Sequence, residues 1–150
     1  MPEFNVAEFN KDMEIGVDLD EAFRNQGSLY AYYAQIAADA AKNMENKKLR
    51  LDIIEARLSK QKRKEYADAG TRCTEKVLTE DVSISTEYIK ARVELNEARA
   101  LAELLKSCLE ALKQRKDMIV QMGAAAREEA KGDLRMSALP SVSEAARKLS

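Results

Sequence analysis

Residues 91–119 read ARVELNEARALAELLKSCLEALKQRKDMI. Within them Ala91, Leu95, Ala98, Ala102, Leu105, Leu109, Leu112, Lys116 and Ile119 follow alternating steps of four and three without a slip. An α-helix returns to the same face every three to four residues, so this run predicts one long helix with a coiled-coil seam. The small residues at 91, 98 and 102 allow close approach over the first half, and the leucines from 105 to 112 thicken the seam over the second. The helix is expected over about 86–122, roughly 55 Å long.

Working outward, glycines stand at 16, 27, 70, 123 and 132 and prolines at 2 and 140, which leaves 28–69 and 71–122 free of helix breakers. The first of these stretches predicts a second long helix from Leu29 to about Ala67, capped by Ser28, ended by Gly70 and roughly 58 Å long. Its apolar stripe is Tyr33, Ile36, Ala40, Met44, Leu51, Ile54 and Leu58, interrupted at Lys47 where the spacing changes. Two helices of similar length with a short connection predict an all-α fold built on a long antiparallel helical hairpin. Thr74 caps a short helix expected at about 75–81 in the connection. Asp18 and Glu21, in capping-box spacing, predict another short helix in the N-terminal segment, ended by Gly27. The expected organisation is an acidic segment over 1–27, a hairpin core over 28–123, and a helical extension with a flexible tail over 124–150. A short amphipathic piece, Val142 to Leu149, is expected to be solvated or to fold on a partner.

Composition removes many activities. Ala, Leu, Glu, Lys and Arg together supply 80 of 150 residues, while His and Trp are absent and only 2 Cys are present. Without histidine there is no Ser-His or Cys-His nucleophile pair, no His-ligated zinc and no imidazole titrating near neutral pH. The carboxylates show neither DxD spacing nor a Gly-rich loop, so no enzyme, metal or nucleotide cofactor is expected. Cys73 and Cys108 stand apart, as in a reducing compartment. The N-terminal sequence lacks an apolar run of signal-peptide or membrane length, and a cytosolic protein with no membrane role is predicted. With few aromatics and a thin, Ala-rich core, burial by a second copy is expected, and Leu95, Ala98, Ala102, Leu105, Leu109 and Leu112 are the candidate oligomerisation residues.

The formal net charge of −1 conceals a strong separation. Residues 1–24 carry seven acids and two bases, a net of −5, whereas 42–64 carry nine bases and three acids, a net of +6. Lys48, Arg57, Lys60, Lys62, Arg63 and Lys64 are candidates for contact with a polyanion, since each cation placed on a phosphate releases a counterion. Tyr66 follows Lys62 by one helical turn, so a ring and a cation share a face on which a base and its phosphate fit. The competing explanation is a solvated face whose charges complement the helix macrodipole. Tyr30, Tyr32 and Tyr33 form the aromatic cluster, expected to pack rather than to stack on bases. Lys106, Lys113, Arg115 and Lys116 offer a second basic surface.

The order of these parts, with SKQKRKEYADAG at 59–70, TEKVLTED at 74–81 and ELLKSCLEALKQRKDMI at 103–119, resembles the bacteriophage recombination mediator proteins of the UvsY type. The resemblance covers about 29–122. It implies a non-enzymatic accessory factor, in a host bacterial cytoplasm, that binds single-stranded DNA and contacts a single-strand DNA-binding protein. It further implies help in loading a RecA-like recombinase, and a homo-oligomeric ring of about six to eight subunits that multiplies weak contacts. The family's Lys-x-Arg element matches Lys60-Gln61-Lys62 in place, with Lys at the second position and Arg63 adjacent, which keeps the charge and loses the planar fork. The alternative is a coiled-coil adaptor or phage inhibitor acting only through protein contacts.

Overall fold

The structure, a computed structural model, describes residues 4–137. They form four helices and, among the described residues, no strand: α1 (Val6–Asp12), α2 (Leu19–Asp68), α3 (Glu75–Ser83) and α4 (Thr86–Ser137). The predicted all-α hairpin is present as α2 and α4. The amphipathic piece expected at 142–149 lies outside the described residues.

Two helix boundaries differ from the sequence expectation. Asp18 does cap a helix, its Oδ1 accepting from the Glu21 amide at 3.0 Å, but that helix is α2 itself, which runs through Gly27 without a break. A glycine inside a helix costs about 1 kcal/mol, too little to stop a helix held by tertiary contacts. Ala22 and Gln26 are both buried just before it. Ser28 is therefore no cap; its hydroxyl donates back to the Asn25 carbonyl at 2.9 Å. The separate short helix lies earlier, as α1, where Asn5 Oδ1 accepts from the amides of Ala7 and Glu8 at 2.9 and 3.4 Å. Likewise α4 passes through Gly123 and Gly132, and the alanines at 124–126 after the first supply strong helix propensity.

The other ends follow the expected chemistry. Gly70 adopts φ +66, the left-handed conformation that only glycine takes without strain. The amides of Gly70 and Thr71 donate to the carbonyls of Ala67 and Tyr66, which completes a Schellman cap on α2. Thr74 Oγ1 accepts from the Val77 amide to open α3, and Ser85 Oγ accepts from the Tyr88 amide to open α4.

The described chain divides into two compact units. One comprises Phe4 and Ala31–Glu110. Its core joins Leu51, Ile54 and Leu58 of α2 to Val82 of α3 and to Ala91 and Leu95 of α4, with Met44 and Tyr88 against its edge. The antiparallel register is visible in the ion pairs across it: Lys47 and Arg50 meet Glu94, and ten residues further along α2 Arg57 meets Glu87, further back on α4. Of the aromatic cluster, Tyr33 is buried, with edge-on rings at Phe4 (6.2 Å) and Tyr32 (5.1 Å), and Tyr32 is exposed.

The other unit comprises Asn5–Tyr30 and residues 111–137. Its polar centre is Arg115, which is 6% exposed. Its guanidinium donates to the carbonyls of Met13 (3.3 Å) and Glu14 (3.2 Å) and to Gln26 Oε1, while Gln26 Nε2 donates to the Leu112 carbonyl at 2.8 Å. A buried cation is tolerable only when its donors are satisfied, and here neutral oxygens do so in place of a carboxylate. Lys116 was expected both on the heptad seam and, with Arg115, on the second basic surface; in the structure Lys116 is exposed and Arg115 is buried.

Candidate nucleic-acid interface

The basic residues of 42–64 all lie on α2, on the part that belongs to the unit of 31–110. Helix geometry sorts them. Leu51, Ile54 and Leu58 turn one face into the core. Arg57, Lys60 and Lys64, spaced by three and four, share an exposed face of the helix, Arg57 at its edge toward α4. Lys62 and Tyr66 are half-buried on the side nearer α3, and Lys48 stands exposed three turns before Lys60.

Acids of α2, α3 and α4 then claim part of the positive charge. Lys62 Nζ donates to Glu65 Oε2 at 2.8 Å, Arg63 Nη2 to both carboxylate oxygens of Glu75 at 3.0 Å, and Arg57 to Glu87. Lys47 and Arg50 both reach Glu94 Oε2, at 2.7 and 2.9 Å. The Lys62 hydrogen bond, with a contribution from Asp81, holds its ammonium above the ordinary lysine pKa. Hydrogen bonds from Lys62 and Gln61 pull the Glu65 carboxyl down, and the Lys47 hydrogen bond does the same at Glu94. Among the described residues Lys42, Lys48, Lys60 and Lys64 are exposed and have no ionic partner. Of these, Lys60 and Lys64 lie on the face that Arg57 also borders.

Tyr66 has a partner within the fold. Its hydroxyl donates to Asp81 Oδ2 at 2.7 Å, and this bond raises the phenol pKa. The bond ties the end of α2 to α3 and fixes the edge of the basic surface. Asp81 also contributes to raising the Lys62 pKa.

The dipole explanation of the basic run loses weight on this geometry. Macrodipole stabilisation is confined to the last helical turn, and α2 ends at Asp68 with no basic residue in that turn. The counter-acids at 75, 81, 87 and 94 were missed by sequence reasoning, although an antiparallel register of the two predicted helices carries the signal that aligns 57 with 87.

The candidate oligomerisation residues are largely buried within the single chain. Leu95, Leu105 and Leu112 are 0–2% exposed within a single chain, Ala98 is buried, and Ala102 and Leu109 are half-buried. Most of the heptad face is covered within the single chain, and Ala102 and Leu109 keep partial exposure on it.

With helix order, hairpin and basic surface in place, the solved structures supply a match. The fold is one already seen in a solved protein. The chain is similar to the bacteriophage T4 recombination mediator protein UvsY in two crystal forms. One matches with a TM-score of 0.65 at 20% identity, over 82% of this chain and 94% of that one. The other has a TM-score of 0.66 at 19% identity, over 85% and 99%. No family model and no curated protein sequence matches the chain. At such identity the likeness concerns the fold, which the mediator shares almost end to end. Among the described residues no group of His, Cys, Asp or Glu could hold a metal ion, and no helix is long and apolar enough to cross a membrane.

Proposed function

We propose that the protein is a non-enzymatic recombination mediator that binds single-stranded DNA along the exposed face of α2 and helps a RecA-like recombinase displace a single-strand DNA-binding protein. The observation that carries this reading is the coincidence of a mediator-like fold with an exposed cationic face, Arg57, Lys60 and Lys64, whose two lysines have no acid beside them. Lys48 lies about 120° round the helix from Lys60, and Lys62 and Arg63 contribute after exchanging a carboxylate for a phosphate. Tyr66 positions the edge. Three or four phosphate contacts per chain give weak, salt-sensitive binding, and association of copies in the host cytoplasm raises it through effective concentration. Holding and deforming a strand needs no titrating group near neutral pH and no cofactor, in keeping with a sequence that has no histidine.

The test is titration of single- and double-stranded oligonucleotides at two salt concentrations, with the mass of each complex measured. Preference for single strands and a steep salt dependence that weakens in Lys60→Ala with Lys64→Ala is the expected result. Absence of binding at low salt would overturn the assignment and favour an adaptor or inhibitor acting through protein contacts alone.

A further inference from the structure

On the exposed face of α2 the cations frame two side chains that the hairpin does not use. Leu49 and Ile53 are 60% and 59% exposed, one helical turn apart, and line an open groove with Asn46, Arg50, Arg57 and Glu87. They stand outside the core cluster of Leu51, Ile54 and Leu58. Isoleucine is also a weaker helix former than alanine or lysine, so helix propensity does not call for it there. Helix geometry places Lys42 and Asn46 before the pair, and Arg57, Lys60 and Lys64 after it, all within about 40° of Ile53 round the helix. The row from Lys42 to Lys64 runs roughly 33 Å.

The make-up of this row specifies its occupant. Cations at both ends draw a polyanion, and Glu87, the acid at the groove, is held by Arg57. A single strand offers phosphates and unpaired base faces together, whereas a duplex offers phosphates and hides its bases in the stack. The lysines alone do not favour the single strand, because the duplex carries the denser charge. The apolar pair does. Against a single strand Leu49 and Ile53 bury apolar surface on base faces; against a duplex they dehydrate phosphates and give nothing in return. Aromatic rings commonly take this part. Residues 42–64 hold none, and Tyr66 is half-buried and bonded to Asp81. Asn46, whose exposed side-chain amide has no hydrogen bond among the described residues, supplies both a donor and an acceptor for a base edge.

We infer that Leu49 and Ile53, with Asn46 beside them, are the base-contacting residues of α2 and set its preference for single strands over duplex. This rests on the DNA-binding reading of the face and divides the labour on it: the lysines hold phosphates and the apolar pair holds bases.

Titration of the full chain and of Leu49→Ala with Ile53→Ala against three probes tests it. The probes are a single strand, the matching duplex, and a strand of the same length and charge built of abasic units. Both sites are exposed and alanine is the stronger helix former, so the variant keeps its fold, as circular dichroism checks. The variant loses about tenfold on the single strand at both salt concentrations. Its slope against log salt is unchanged, because no phosphate contact is removed. Its affinities for the duplex and the abasic strand stay at the wild-type values, and the wild-type chain itself binds the abasic strand about tenfold more weakly than the base-bearing one. A wild-type chain that binds the abasic and base-bearing strands alike overturns the inference. So does a variant that keeps its single-strand affinity, which leaves the pair to a partner protein, or one that loses duplex and single strand equally. Failure of the wild-type chain to bind any probe at low salt is a different result, and overturns the DNA-binding reading itself together with the inference.

Discussion

Arg115 and the lysines of α2 are cations on the same kind of helix, and the fold treats them in opposite ways. Arg115 is buried and satisfied by two main-chain carbonyls and an amide oxygen. Lys60 and Lys64 are exposed with no ionic partner among the described residues. A buried charge is committed to one arrangement of its neighbours, because any lost hydrogen bond leaves a dehydrated polar group behind. An exposed charge commits nothing and remains available to a ligand.

The largest effect follows at the buried end of this contrast. Arg115→Ala strands the carbonyls of Met13 and Glu14 and leaves Gln26 Oε1 without its donor, so stability to urea should fall by about 3 kcal/mol or more. An unchanged midpoint would mean that the buried cation is dispensable and the contrast is false. At the exposed end, Lys60→Ala with Lys64→Ala should leave stability within about 0.5 kcal/mol of wild type. The same pair should lower single-strand affinity about tenfold at low salt and reduce the slope against log salt by about 1.4.

Between the extremes are cations that already hold a carboxylate. Lys62→Ala with Arg63→Ala should weaken single-strand binding less than the Lys60 and Lys64 pair, about threefold, since each cation must surrender an exposed ion pair to reach a phosphate. A loss equal to or greater than that of the exposed pair would show that the ion pairs open freely. The smallest effect is a pH dependence at Glu94. Its carboxyl titrates below the reference value of 4.5 because Lys47 donates to it. Its contribution to stability is therefore present above about pH 4.5 and is lost as pH falls through the lowered folded-state value. Lys47→Met should flatten the acid side of the stability profile, and an identical profile would remove the pair from the account.

Much of the fold was legible because it rests on local chemistry. Breaker-free stretches, the Thr74 cap and the Gly70 turn all act within a few residues, and each appears in the structure. Gly27 and Gly123 were misleading because a cost of about 1 kcal/mol per glycine is settled by tertiary contacts that no local window contains. The heptad stripe was legible but not what covers it, since a leucine seam reads the same whether it faces the chain's own helix or another copy's. At the candidate interface the basic residues were visible, but not which of them α2, α3 and α4 neutralise. Arg115 was unreadable for the same reason: its three acceptors lie more than eighty residues away along the chain.

The two thiols differ as the two kinds of cation do. Cys108 is buried on the hairpin face of α4, where desolvation raises its pKa, whereas Cys73 lies half-exposed in the turn before α3. A thiol reagent attacks only the thiolate, so Cys73 is modified from the folded state while Cys108 waits for its surroundings to open. The chain thus carries an internal clock: the lag between its two labelling events times the breathing of the helix pair around Cys108, with no probe added.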